Sequence, residues 1–421
     1  MGEKILVGFL GGSGYVETKY YIEDKNNYKN TKYILEALKE FVKPDKIIVI
    51  TTETAKEKKI ESIGIPIIDD VKNHLGEIEI LTIPEGKDIE NQKEIFRQIV
   101  KFFEKYKDAS FHVDVTHGFR YLPFIFFTSF VYLKNIYDIN IEKIYYGNFE
   151  RGKEYSPIID LSYLLDLVNW SSSVYLFNQR FDAKALSKAI VSTKVNTHEK
   201  LERPTNLRKL GNALSSFSDE FLNVRPINIA NIATDIKEKI SKSREEIKKW
   251  ADHLLPLFDR LAEEDFRKLS LENPETLDKE NLRYQLNLIK IYVDKNLLLQ
   301  AILLLREFMI SYIIYAINEQ EKWIDHNFRE SVSGALNALY KSASKHNTEE
   351  TSQNQNVMDV LQKVKNVEDI EGFINHWNRI IEYRNIFAHC GMKESTPQNL
   401  KDFSRDIKEI LSYIEKLPHL N

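Results

Sequence analysis

The spacing of hydrophobic residues changes near residue 160. Before that point, short apolar runs alternate with longer amphipathic ones. KILVGFL is a strand-length run that stops at Gly11, Gly12 and Gly14. TKYILEALKEFV follows with helical periodicity and is broken by Pro44. KIIVITT is a β-branched run of the kind that parallel sheets bury on both faces. EIEILTIP predicts a strand, NQKEIFRQIVKFFEKY a helix, FHVDV a strand and THG a turn. FRYLPFIFFTSFVYLKN predicts a strongly apolar helix, and IEKIYYGNFE closes the series. This alternation with short connections predicts an α/β domain over 1–160, built on a doubly wound parallel sheet.

From Leu161 onward strand signals stop, and the rest of the chain reads as all-α, punctuated by Pro226, Pro256 and Pro274. LLLQAILLLREFMISYIIYA, Leu297 to Ala316, is long enough to cross a bilayer. Arg306 and Glu307 near its centre would be costly in lipid, so it predicts a soluble core helix with a polar stripe. SASKHNTEETSQNQN predicts an exposed loop, and the helix DIEGFINHWNRIIEYRNIFAHC is expected to end at Gly391 as a C′ glycine. The starting run MGEKILVGFL reads as a first strand.

Composition narrows the chemistry. Hydrophobic residues make up 43% and charged residues 29% of 421, enough for full cores and unlike disordered chains. The net charge of −4 supplies no global cationic field, so any nucleic acid must bind in a local groove. One cysteine, Cys390, excludes intrachain disulfides and cysteine-rich zinc sites, and it reads as an ordinary small apolar residue. The expected setting is cytoplasmic, with no membrane partner.

Ligands of open parallel sheets bind outside the carboxyl ends of the strands. Two loops there are candidates. Gly11, Gly12, Ser13, Gly14 and Tyr15 follow the first strand, where glycines let backbone N–H groups approach a phosphate. The dinucleotide fingerprint is broken by Glu17, which disfavours a dinucleotide-dependent enzyme. The second loop is Asp114-Val115-Thr116-His117-Gly118-Phe119-Arg120. Thr116, His117 and Arg120 offer a hydroxyl, a ring nitrogen and a guanidinium, and Asp114 can cap the turn or orient His117. His112, Asp114 and His117 lack a third strong ligand beside the two histidines, so no metal site is expected.

Near the end stands Glu382-Tyr383-Arg384-Asn385-Ile386-Phe387-Ala388-His389. Its R-x4-H spacing carries little weight alone, yet the residue types suit RNA cleavage. RNA carries an internal nucleophile, the 2′-OH. An imidazole can move protons near neutrality and a guanidinium can stabilise charge on phosphate. Asn385 could orient either. Positions five apart lie about 140° apart around a straight helix. Arg384 and His389 therefore converge only where the helix ends, or across a two-fold axis where two copies pool their groups. A non-catalytic reading remains beside this one: a nucleotide-sensing regulator whose helical domain mediates dimerisation or partner binding.

Taken together, Asp114-Val115-Thr116-His117-Gly118 and Arg384-Asn385-Ile386-Phe387-Ala388-His389 give the chain a resemblance to the CRISPR-associated CARF–HEPN ribonucleases of type III systems, in the subfamily with a D-x-T-H-G motif. The glycine-rich loop and the helix LLLQAILLLREFM suit that family too. The resemblance implies a Rossmann-like CARF sensor over 1–160, a helical connector over 161–285 and a helical HEPN ribonuclease domain over 286–421. It implies a homodimer, activated by cyclic oligoadenylate with cyclic tetra-adenylate favoured over hexa-adenylate. The activated dimer would cut single-stranded RNA, not DNA, without metal or cofactor, in antiviral defence. Arg384, Asn385 and His389 would be the catalytic set. Gly11 to Tyr15, Thr51 after the second strand, Thr116, His117, Gly118 and Arg120 would line the activator site.

Overall fold

A computed structural model of the chain describes residues 2–12, 15–192, 195–196, 201–202, 204–262, 265–344, 355–390, 392 and 400–420. It divides into two units, Met1–Leu165 and Asp166–Asn421. The first contains β1 (Lys4–Leu10), β2 (Thr18–Tyr21), β3 (Tyr28–Thr31), α1 (Ile34–Val42), β4 (Lys46–Thr52), α2 (Glu53–Glu57), α3 (Ile67–Leu75) and β5 (Glu79–Ile83). It continues with α4 (Ile89–Phe103), β6 (Ser110–Asp114), α5 (Leu122–Tyr137), β7 (Asn140–Gly147) and β8 (Tyr155–Asp160).

β1 is central because both of its faces are apolar. Ile5, Val7 and Phe9 join one core with α4 and α5, through Ile95, Ile99, Phe103, Phe126 and Phe130. Leu6 and Leu10 join the other with α1 and α3, through Leu35, Leu38, Val71 and Leu75. β4 alternates likewise, with Ile48 and Ile50 on one side and Ile47 and Val49 on the other. Gly8 leaves room for Leu35, whose Cδ2 lies 2.4 Å from where a Cβ would stand.

The sheet runs β3-β2-β8-β7-β6-β1-β4-β5. β5, β4, β1, β6 and β7 are mutually parallel. β7–β8 and β2–β3 are antiparallel, so the sheet is mixed where an all-parallel one was expected. β2, β3 and β8 extend it beyond the predicted series. Thr31, expected to open a helix, instead ends β3, and α1 starts at Ile34.

The second unit contains α6 (from Tyr163, within the first unit, to Arg180), α7 (Lys184–Ser192), β9 (Val195–Asn196), β10 (Leu201–Glu202), α8 (Thr205–Leu222) and α9 (Pro226–Trp250). It continues through α10 (Leu255–Ala262), α11 (Asp265–Leu269), α12 (Lys279–Asp294), α13 (Leu298–Ala316) and α14 (His326–Ser344). α15 (Gln355–Val364), α16 (Ile370–Ala388) and α17 (Leu400–Ile414) complete it. The antiparallel pair β9–β10 departs from the expected all-α character. One hydrophobic cluster reaches from Trp170 to Leu420 and includes residues of 161–285 and of 286–421.

Among the described residues α13 is the one helix long and apolar enough to span a membrane, yet 67% of its most apolar window is buried within the protein. Its polar stripe is paired: Arg306 with Glu307, and Glu307 with Arg329 at 2.8 Å. Its apolar residues are mostly core, with Leu299 and Leu303 left exposed. Of the predicted polar loop, Ser342 to Ser344 end α14 and Gln355 and Asn356 begin α15. Residues 345–354 lie outside the described residues.

Candidate functional site

After forming β2 and β3 at the far edge, the chain places β4 and β5 outward on one side of β1, then returns to β6 on the other. The carboxyl ends of β1 and β6 therefore flank the point where strand order reverses, the usual ligand crevice of such sheets. Both glycine loops emerge there and they touch. A Cβ on Gly11 would stand 3.1 Å from the Gly118 backbone nitrogen. Gly118 itself has φ +101° and packs over Phe9, a conformation that disfavours a side chain.

Tyr15 joins the two loops. Its hydroxyl accepts from the Gly11 N–H and donates to the Gly11 carbonyl, each at 3.0 Å. Its ring meets His117 edge-on at 4.7 Å and Tyr33 at 4.8 Å. The Gly11 N–H expected to face a phosphate is thus occupied by Tyr15. Gly12 lies against the aliphatic stem of Lys58, a cation the motif reading missed. Ser13 and Gly14 lie outside the described residues.

In the second loop Asp114 is fully buried at the end of β6. Its Oδ1 accepts from the Thr116 N–H and hydroxyl, while its Oδ2 has no partner. The Thr116 hydroxyl accepts in turn from the Gly147 N–H at 2.7 Å, which ties the loop to the end of β7. Burial raises the Asp114 carboxyl to about 7. Burial also lowers His117 to about 4, so its ring is neutral at pH 7, and its Nε2 is buried without a partner. Gly118, Phe119 and Arg120 are exposed, with Arg120 two residues before α5 begins.

Thr51 lies inside β4 rather than after it. It is 1% exposed and its hydroxyl donates to the Leu10 carbonyl at 3.3 Å, so it faces the sheet interior. His112 is buried beside Tyr145, with Nδ1 3.1 Å from the Tyr145 hydroxyl and Nε2 3.4 Å from Glu142. Among the described residues, no three His, Cys, Asp or Glu side chains are grouped to hold a metal ion.

At the other motif, Arg384 lies just before the last turn of α16 and is exposed, and its guanidinium donates to Asn385 Oδ1 at 3.3 Å. The helix ends at Ala388, and His389 is its C-cap, also exposed. The C′ residue is Cys390, with φ +51°, and not the expected Gly391, which lies outside the described residues. Cys390 is exposed rather than packed. Arg384 and His389 thus flank the last turn of α16.

Residues 5–150 match a protein-family model described as the CARF domain of the CRISPR system endoribonuclease Csx1. The CRISPR-associated protein MJ1674 of Methanocaldococcus jannaschii is 23% identical over 232 residues, 54% of this chain. That stretch is 34% of the relative, so the match spans about a third of its length. A solved structure of Enterococcus italicus Csm6 bound to cyclic hexa-2′-fluoro-hexa-dAMP aligns over 98% of this chain and 94% of that one, at 11% identity and TM-score 0.45. The first unit is therefore similar to the CARF domain of Csx1, within a chain similar to a CRISPR-associated protein.

Proposed function

We propose that the chain is a cyclic-oligoadenylate-activated endoribonuclease of type III CRISPR defence, working as a homodimer on single-stranded RNA. The observation that carries this reading is the meeting of the two glycine loops at the carboxyl ends of β1 and β6, inside the stretch that matches the Csx1 CARF model. Backbone N–H groups and Lys58 would take phosphates, and Thr116, His117 and Arg120 would take sugar or base. His117, held neutral by burial, would serve as a hydrogen-bond partner rather than a charge.

Cleavage would fall to the end of α16. The 2′-OH of the substrate attacks the adjacent phosphorus, the 5′-oxygen leaves, and a 2′,3′-cyclic phosphate remains. His389 moves the proton, Arg384 stabilises the phosphorane charge and Asn385 holds the guanidinium. Because the nucleophile is internal to RNA, the step needs no metal-bound water, and DNA of equal sequence is inert.

A fluorogenic RNA assay with cyclic tri-, tetra- and hexa-adenylate, each with and without chelator, tests this. Cleavage is expected with cyclic tetra-adenylate, chelator included. Arg384→Ala and His389→Ala should each lower the rate by roughly 10²–10⁴-fold. Near wild-type cleavage by both variants would remove the catalytic assignment. Absence of cleavage with every activator would favour the non-catalytic regulator.

A further inference from the structure

The end of α16 is braced by α17 through contacts that no local sequence pattern announces. Tyr383, the residue before Arg384, donates its hydroxyl to the Asp406 carboxylate. The Tyr383 ring also meets Phe403 edge-on at 4.7 Å. Phe387, two residues before His389, meets the same Phe403 ring at 5.4 Å. Arg379, one turn earlier on α16, reaches Glu409 at 2.9 Å and Asp406 at 3.6 Å. The rings of Tyr383 and Phe403 are buried and Asp406 is partly so, while Arg379 and Glu409 reach the surface, so the Tyr383–Asp406 bond and the ring contacts form the inner part of the brace.

Position matters here for a geometric reason. Arg384 and His389 are both exposed, and among the described residues neither is shown making a side-chain contact outside α16. Their placement is set by the turn that carries them. That turn is held from the inward side by Tyr383 and Phe387, which both meet α17.

We infer that Asp406 and Phe403 are positioning residues for the Arg384–His389 turn, acting through Tyr383 and Phe387. The inference rests on the ribonuclease reading for its catalytic consequence, though not for its structural one. The Tyr383 hydroxyl and then the Arg379 guanidinium hold Asp406 below the usual carboxylate range, so the acceptor stays a carboxylate even in mild acid.

The chain carries its own reporter. Cys390 is the one cysteine in the sequence, is exposed and directly follows His389. A nitroxide on Cys390 reads the order of the turn without reference to activity. Tyr383→Phe keeps the ring on Phe403 and removes only the hydroxyl, Asp406→Ala removes the acceptor and Asp406→Asn restores a neutral one. In the full-length protein, Tyr383→Phe and Asp406→Ala should increase label mobility with far-ultraviolet helicity retained. In unlabelled protein with cyclic tetra-adenylate, both should lower kcat by roughly 10- to 100-fold, as expected of a displaced catalytic group. KM for RNA and the activator Kd should stay within about twofold, and Asp406→Asn should recover most of kcat. Unchanged label mobility in both variants overturns the brace, whatever the enzyme does. Loosened labels in a protein whose RNA cleavage survives His389→Ala uphold the brace and remove the ribonuclease assignment instead. Equal losses in KM and activator affinity would mark a general folding defect and overturn the positioning role.

Discussion

Tyr15 occupies the Gly11 amide, so on the proposed function its hydroxyl and an activator phosphate would compete for the same donor. Tyr15→Phe keeps the ring against His117 and Tyr33 while freeing that N–H. Cyclic tetra-adenylate, titrated by calorimetry, should therefore bind tighter, by up to about 1 kcal/mol, one hydrogen bond's net worth. Weaker binding would instead make the hydroxyl a ligand contact. Asp114 and His117 lend themselves to a second measurement because their titrations oppose each other. Asp114 is raised to about 7, so between about pH 4 and 7 the unfolded chain has released a proton that the folded one keeps. Its contribution to stability falls as pH rises through that window. His117 is lowered to about 4, so below its ordinary value near 6.5 the unfolded chain binds a proton that the folded one refuses. Its contribution falls as pH drops. The shifts are worth at most about 4 kcal/mol for Asp114 and about 3 kcal/mol for His117, and the two slopes largely cancel between pH 4 and 6.5. Asp114→Asn should expose a loss of stability on acidification relative to wild type, and His117→Ala a loss on alkalinisation. Urea unfolding at four pH values from 4.5 to 7.5 reads both, and parallel profiles in all three proteins would remove the assignment.

The turn between β6 and α5 depends on a backbone that only glycine adopts freely. Gly118 has φ +101°, and an added Cβ would stand 3.2 Å from Phe9 Cβ, whereas Gly152, at φ +89°, has nothing within 4 Å. Gly118→Ala should therefore cost about 2–3 kcal/mol and Gly152→Ala about 1 kcal/mol, by denaturant unfolding. Equal costs would mean that contact with β1 contributes nothing. This contrast also shows what was readable beforehand. β1 and β4 were legible because burial on two faces forces uninterrupted apolar runs, and β6 because Phe111 and Val113 alternate into one core. β2, β3 and β8 were not: they are short, polar or interrupted by Pro157, and β2 and β8 share a buried Thr18–Ser156 hydroxyl pair instead of an apolar stripe. The loops of the first site announced themselves through glycine. The burial of Asp114, the seating of Tyr15 on Gly11 and the inward placement of Thr51 depend on neighbours distant in sequence, and carry no local signal. Likewise, Arg384 and His389 could be proposed from residue type. The Tyr383–Asp406 contact spans 23 positions and emerges only from the packing of α16 on α17.

Each unit closes its own hydrophobic cores: two clusters flank the sheet of the first, and one runs through the helices of the second. On the proposed function, a ligand of the first unit would act on the second only by favouring one conformational state over another. Such coupling is reciprocal for binding: whatever factor the activator adds to RNA affinity, RNA must add to activator affinity. The His389→Ala protein allows this to be measured without consuming substrate, since His389 is a capping residue outside both core clusters of the first unit and the cluster of the second. Cyclic tetra-adenylate should tighten single-stranded RNA binding in that variant by about 5- to 150-fold, the usual range of such couplings. Titrating activator with and without saturating RNA should return the same factor from the other side. Arg120→Ala, which removes an exposed guanidinium from the β6–α5 loop, should weaken activator binding in both titrations while leaving the ratio between them unchanged. If neither ligand alters the affinity of the other, while wild-type protein still cuts RNA only with activator present, the coupling acts on the chemical step and the binding-linked account of activation fails.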